Sequence, residues 1–235
     1  MWDWTEDKIK VKITWIRHGM TRANEEHRYL GKTDEPLSEK GIRFLQEKKK
    51  KSFFNAPEFL YASPMKRCVQ TAEILFRRKP VLIPEWKEMD FGQFEGKNYE
   101  KLKDNPDYQK WIDSNGTLPF PGGEPREQFI RRSMEGFDWM MSDILIKSEK
   151  NTRIQNGTET QDLKNNCETE IPVVAVVHGG TIMAVLSSLT GGEYFDFQVK
   201  NGEGYETVLE WIQGRWKITS LTKIGCKGSK SEYLQ

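Results

Sequence analysis

Val173-Val174-Ala175-Val176-Val177, running into His178-Gly179-Gly180-Thr181, is the stretch of this 235-residue sequence that decides its fold class. Five consecutive apolar residues leave no polar face, the pattern of a strand covered on both sides. Residues 181–189 then read as a helix, so a buried strand hands over to a helix at a histidine and two glycines. Towards the N-terminus, Val11-Lys12-Ile13-Thr14-Trp15-Ile16 alternates apolar and polar side chains and stops at Arg17-His18-Gly19, again a strand ending in a histidine and a glycine. Phe59-Leu60-Tyr61-Ala62 is a short strand ending at Ser63-Pro64, where Ser63 can cap and Pro64 can open a helix. In that helix Met65, Cys68, Val69, Ala72 and Leu75 recur at helical spacing and form one buried face. Val81-Leu82-Ile83 reads as a third strand before the long central region. Further helices are expected near 38–51, 99–103, 107–113 and 124–146, and segments 207–211 and 216–221 flank a Gln213-Gly214 turn as a hairpin. Strands alternating with helices predict an α/β, three-layer α/β/α architecture with a mainly parallel central sheet.

Composition narrows the function. Lys and Arg number 36 against 35 Asp and Glu, a formal net charge of +1, so no global field favours nucleic acid, and any anion must be held locally. No apolar run is long enough to span a bilayer, and the first residues, Met1-Trp2-Asp3-Trp4-Thr5-Glu6-Asp7, lack the basic and apolar regions of a signal peptide. Cys68, Cys167 and Cys226 are odd in number and far apart, which argues against a disulfide framework or zinc site and for reduced, cytoplasmic thiols. Residues 148–170 read as a polar insertion. Lys48 to Lys51 reads as a solvated helix end, and the sequons Asn115-Gly116-Thr117 and Asn156-Gly157-Thr158 as chance matches. Trp2 and Trp4 are candidates for packing locally or against a partner, and the oligomeric state is not readable.

In open α/β sheets, sites form at the carboxyl ends of strands, where helix N-termini converge. Three segments deliver polar groups there: Arg17-His18-Gly19, Ser63-Pro64-Met65-Lys66-Arg67 and His178-Gly179-Gly180-Thr181. Two histidines and two arginines near one point suit an anion, phosphate above all, because guanidinium forks and helix N–H groups match its oxygens. His27, within Asn24-Glu25-Glu26-His27-Arg28, reads as a surface residue.

These residues resemble the histidine phosphatase superfamily, which includes the phosphoglycerate mutases. The resemblance begins at Arg17-His18-Gly19-Met20-Thr21 with Asn24 and runs through Gly31 to Gly41. It continues with Ser63-Pro64-Met65-Lys66-Arg67-Cys68, then Glu88-Met89-Asp90-Phe91-Gly92, and ends with Pro121-Gly122-Gly123-Glu124 and Val177-His178-Gly179-Gly180. It implies one phosphoglycerate mutase-like domain over 1–235, with a core at about 11–222 and a helical lid at about 97–146. His18 would be the nucleophile that forms a phosphohistidine. Arg17, Arg67 and His178 would hold the phosphoryl oxygens, with Asn24 and the Gly179 N–H adding donors. Glu88 would be the general acid, with Glu85, Asp90 and Glu95 as nearby alternatives. No metal or other cofactor is implied. Met20 and Pro125 depart from the family pattern, standing where a polar or acidic residue and a serine are usual.

The reaction implied is hydrolysis of a small phosphorylated metabolite. The long substrate-covering insertion of the cofactor-dependent mutases is missing after Gly96, and the Asp90-Phe91-Gly92 and Pro-Gly-Gly-Glu signatures look more like α-ribazole phosphatases and similar enzymes. α-Ribazole 5'-phosphate is therefore a candidate substrate. A phosphoglycerate mutase and a non-catalytic phosphate-binding scaffold are the alternatives.

Overall fold

A computed structural model describes residues 9–51, 53–155 and 170–225. Its centre is the Val173 run, which forms part of β4 (Glu170–Val177) and pairs in parallel with β1 (Lys10–Arg17) on one side and β2 (Phe59–Ala62) on the other. β3 (Val81–Leu82) extends the sheet beyond β2 in parallel; beyond β1, β5 (Gly204–Ile212) and β6 (Arg215–Ile224) form an antiparallel hairpin. The strand order is β3-β2-β4-β1-β5-β6.

Side-chain alternation along β4 explains why the run has no polar face. Val173, Ala175 and Val177 join one core with Ile13, Trp15 and the helices α6 (Arg126–Gln155) and α7 (Gly179–Thr190), through residues such as Phe137 and Val185. Val174 and Val176 face the other way. They pack with Ile16, Leu60 and Ala62 against α2 (Glu39–Lys50) and α3 (Lys66–Phe76), through Leu45, Cys68 and Ala72. Both faces of the central strands are thus buried beneath helices, the three-layer arrangement expected of a parallel sheet. In the first core, Trp15 meets Trp86 edge-on at 5.8 Å, a pairing that adds about 0.5–1.5 kcal/mol beyond burial.

A third cluster caps the carboxyl ends of the strands. It is built from α4 (Tyr99–Leu102), α5 (Pro106–Asp113) and the turns around them, with Met89, Phe94, Leu102, Tyr108 and Phe120 packed on Phe129 of α6 and Ala184 of α7. A short helix α1 (Arg22–Glu25), closed by a capping box between Thr21 and Asn24, follows β1.

Three local expectations change. Ser63 does not cap α3: the N-cap is Met65, without a side-chain cap bond, and Ser63 Oγ, which accepts the Met65 N–H at 3.4 Å, stands 2.8 Å from the ring of His178 at the start of α7. The long helix does not stop near residue 146, where its apolar pattern ends; good helix formers carry α6 on to Gln155. This replaces the start of the anticipated insertion, and residues 156–169 lie outside the described residues. Lys48 is not a solvated cation but is buried, its ammonium 4.2 Å from the Phe53 ring centroid. Trp2, Trp4, Cys167, Cys226 and the Asn156 sequon also lie outside the described residues.

Candidate active site

Register builds the site. Parallel pairing sets Arg17 opposite Val177, so His18 and His178, the residues that follow each strand, leave the sheet at the same level. β2 sets Ala62 opposite Val176, which brings Ser63 to the adjoining position. The two imidazoles stand edge to face, with centroids 5.2 Å apart. Both are buried, as is Arg67 from the first turn of α3.

His18 Nδ1 lies 2.7 Å from the Gly19 carbonyl oxygen. A carbonyl only accepts, so Nδ1 carries the proton and Nε2 keeps its lone pair. Burial, followed by the nearby charges of Arg67 and Arg17, holds the His18 pKa well below the usual 6.5 and keeps the ring neutral. His178 is the N-cap of α7 and is likewise depressed, by burial, Arg67 and His18. Its Nε2 is 2.8 Å from Ser63 Oγ, and its Nδ1 is 4.0 Å from Glu88 Oε2.

The two arginines are anchored by carbonyls rather than carboxylates. Arg17 donates to Val199 O at 2.7 Å, and Arg67 donates to Thr33 O and Gly31 O, both at 2.9 Å. The buried Nε of each has no partner among the described residues. Their positive charges therefore converge on the histidines without an ion-paired carboxylate among the described residues. Such an arrangement is costly unless an anion completes it. Arg17 lies against Gly179, with Cζ 3.5 Å from where a β-carbon would stand. The first N–H groups of α7 therefore face the same space as the guanidinium.

Glu88 completes the cluster. Burial raises its carboxyl above the usual 4.5, while the Met89 N–H, which donates to Oε1 at 2.9 Å, and the charges of Arg67, Arg17 and Arg132 pull it back. Gly180 makes this placement possible, because a β-carbon there would stand 2.5 Å from Glu88 Oε1. Two of the other carboxylates are committed elsewhere. Asp90 binds Lys32 and the Gly92 N–H, and Glu95 accepts from the Gly31 and Thr33 N–H groups. Glu85 belongs to the turn Pro84–Trp86, where its carbonyl holds Arg132.

Asn24 joins from α1. Its Oδ1 accepts from the Thr21 N–H and from Asn201 Nδ2, both at 3.1 Å, and Asn201 also donates to His18 O at 3.1 Å. With its oxygen engaged twice, Asn24 offers Nδ2 as its donor. Every residue expected from the sequence is thus brought to one site, and His27, exposed at a positive φ of 54°, stands apart. Sequence reasoning missed Ser63 and Cys68 as neighbours of His178, Asn201 as the link between His18 and Asn24, and the clamp of Arg132 on Glu124 at 2.7 Å. A cleft of about 400 Å³ leads from Arg17, Glu88 and Gly179 to a wall of Tyr29, Trp111, Phe120 and Phe195. Among the described residues no group of three or more His, Cys, Asp and Glu could hold a metal ion, and no helix is long and apolar enough to cross a membrane.

A mainly parallel α/β/α sheet with a neutral, buried histidine between two arginines defines the phosphatases that use a histidine nucleophile. The chain belongs to the histidine phosphatase superfamily, branch 1, whose family model matches residues 13–224. Among its relatives, the Blochmanniella pennsylvanica 2,3-bisphosphoglycerate-dependent phosphoglycerate mutase is 28% identical, over 82% of this chain and 90% of its own. A mutant phosphoserine phosphatase from Entamoeba histolytica, solved in complex with phosphoserine, is 26% identical with a TM-score of 0.59, covering 90% of this chain and 96% of its own. The α-ribazole phosphatase from Shigella flexneri shares the fold, with a TM-score of 0.65 at 23% identity over 88% of this chain and 94% of its own.

Proposed function

We propose that the protein hydrolyses a small phosphorylated metabolite through a phosphohistidine on His18. The observation that carries this reading is the His18 tautomer: Nδ1–H is spent on Gly19 O, and the unprotonated Nε2 stands among cations that would bind a phosphoryl group. In the first step Nε2 attacks phosphorus, the P–N bond forms and the ester P–O bond breaks. Glu88, whose proton is favoured by burial, protonates the departing alkoxide. In the second step the Glu88 carboxylate takes a proton from water, the water oxygen bonds to phosphorus, and the P–N bond breaks to release phosphate and neutral His18. Arg17, Arg67 and His178, with Asn24 Nδ2 and the Gly179 N–H, hold the non-bridging oxygens. Phosphoryl transfer depends chiefly on such positioning and charge stabilisation.

A panel of phosphomonoesters that includes phosphoserine, 3-phosphoglycerate and α-ribazole 5'-phosphate, assayed with wild type and His18→Ala, tests the reading. Phosphate release that is lost in the variant, with an acid-labile phosphoryl group trapped on wild type, supports it. Interconversion of phosphoglycerates without phosphate release overturns it in favour of the mutase. Phosphate binding with no turnover by either protein overturns it in favour of a scaffold.

A further inference from the structure

The phosphate-binding end occupies only one end of the cleft. The rest is a preformed aromatic wall. Trp111 stacks on Phe120 at 5.0 Å with 29° between the planes, and Phe91 meets Phe120 edge-on at 4.9 Å. Contacts of this kind hold the lining rings in fixed orientations. A cavity of about 400 Å³ is of the size that encloses a ring system rather than a three-carbon acid, which would leave most of the apolar wall against water. Within the wall sits one charge without a carboxylate partner among the described residues. Arg126, half-buried, lies over the rings of Tyr194 at 5.4 Å and Phe195 at 5.9 Å. Glu124, the acidic group that also lines the cleft near it in sequence, is held by both nitrogens of the Arg132 fork at 2.7 Å and is not available to neutralise it. Arg126 is thus an oriented guanidinium on an apolar surface, the chemistry that recognises a carboxylate on a flat ligand.

We propose that the alcohol half of the substrate is a flat aromatic group carrying a carboxylate, packed against the Trp111–Phe120 wall and paired with Arg126. This rests on the phosphatase reading above and adds the leaving-group class to it. The aromatic part is tested by comparing benzyl phosphate with ethyl phosphate, and the carboxylate part by comparing 4-carboxyphenyl phosphate with phenyl phosphate. Within each pair the leaving alcohols are close in reactivity, so kcat/KM reports recognition. The wild type should prefer the benzyl ester, and the carboxyphenyl ester by about tenfold, the worth of one charge-assisted bond. Arg126→Met, which keeps the aliphatic stem over the rings, should bring the carboxylate ratio to near one, and Trp111→Leu should remove the benzyl preference. Equal rates within each wild-type pair, or a carboxylate ratio that survives Arg126→Met, overturn the proposal while His18-dependent hydrolysis leaves the phosphatase reading standing. If neither these esters nor any member of the metabolite panel is turned over, the phosphatase reading fails. Tryptophan fluorescence titration with the same two aryl phosphates then decides, and equal affinities overturn the proposal there as well.

Discussion

His178 Nε2 and Ser63 Oγ, 115 residues apart in sequence, stand 2.8 Å apart where β4 and β2 leave the sheet. The bond fixes the ring that stands between His18 and Glu88. Cys68 Sγ, 3.6 Å from the same nitrogen, closes the remaining side, and burial pushes that thiol up to about 12, so it stays a neutral packing group. Ser63→Ala should therefore free the imidazole to turn while leaving the phosphate cations in place. Steady-state kinetics should show kcat falling by about 10- to 100-fold with little change in KM, the cost of a misplaced group. An unchanged kcat would mean that the packing around Cys68 alone fixes the ring.

Glu88 makes a prediction about leaving groups. As the proton donor it is needed when the alcohol is a poor leaving group and hardly at all when it is 4-nitrophenol. Glu88→Gln should slow an alkyl phosphate by at least about 100-fold, yet slow phosphorylation of His18 by 4-nitrophenyl phosphate far less. The raised carboxyl pKa adds a sign. The acid form is present below that pKa, so alkyl-ester turnover should fall as pH rises through it, at a pH above the usual 4.5. Equal losses for both ester classes in burst experiments would remove Glu88 from the acid role.

What the sequence disclosed and what it hid follow from the range of the interactions. The strand-ending histidines were legible because a run such as Val173 to Val177 and its glycine turn are local, and parallel register then needs no further information to bring His18 beside His178. Arg67 was legible as a first-turn residue of a helix that follows a strand. Ser63 does not act as the cap because the N-cap of α3 falls two residues beyond it and its oxygen meets His178, a partner 115 residues away that no local pattern reveals. Among the carboxylates the sequence offered Glu85, Glu88, Asp90 and Glu95 on a nearly equal footing outside the family pattern. Only burial and the competing bonds of Asp90 and Glu95 separate them. The aromatic wall gathers Trp111 from α5 with Tyr29, Phe91 and Phe120 from the segments outside the regular elements, and no periodicity marks such a set.

Neutral buried histidines tie stability to pH. Both His18 and His178 have pKa values below 6.5 when folded and regain the usual value when unfolded, so the unfolded chain binds more protons at acid pH. Their contribution is complete above about 6.5 and is lost as pH falls below it, by up to about 1.4 kcal/mol per unit for each ring. Glu88, with a raised pKa, works in the opposite direction and offsets part of the loss. Urea midpoints should accordingly fall between pH 7.5 and 5.5, and the fall should be smaller in His18→Asn. A wild-type midpoint that is flat or rises over this interval contradicts the neutral assignment.

Arg132 carries the Glu88 segment as a whole. Its guanidinium grips both oxygens of Glu124 at 2.7 Å and donates to the carbonyls of Glu85, Lys87 and Glu88, so one side chain on α6 ties down the backbone on which Glu88 rides. The pair is largely shielded from solvent, and removing one partner leaves the other charged and uncompensated, which typically costs about 3–5 kcal/mol for a buried pair and less here because some exposure remains. Arg132→Met should lower stability in a urea titration. In the folded fraction it should reduce kcat more than KM, with the alkyl-ester pH profile displaced because Glu88 has lost a nearby cation. Arg132→Lys keeps that charge but not the fork, so it should restore the position of the pH profile without restoring the full kcat. A profile that stays fixed in both variants would show that Arg132 stabilises the fold without positioning Glu88.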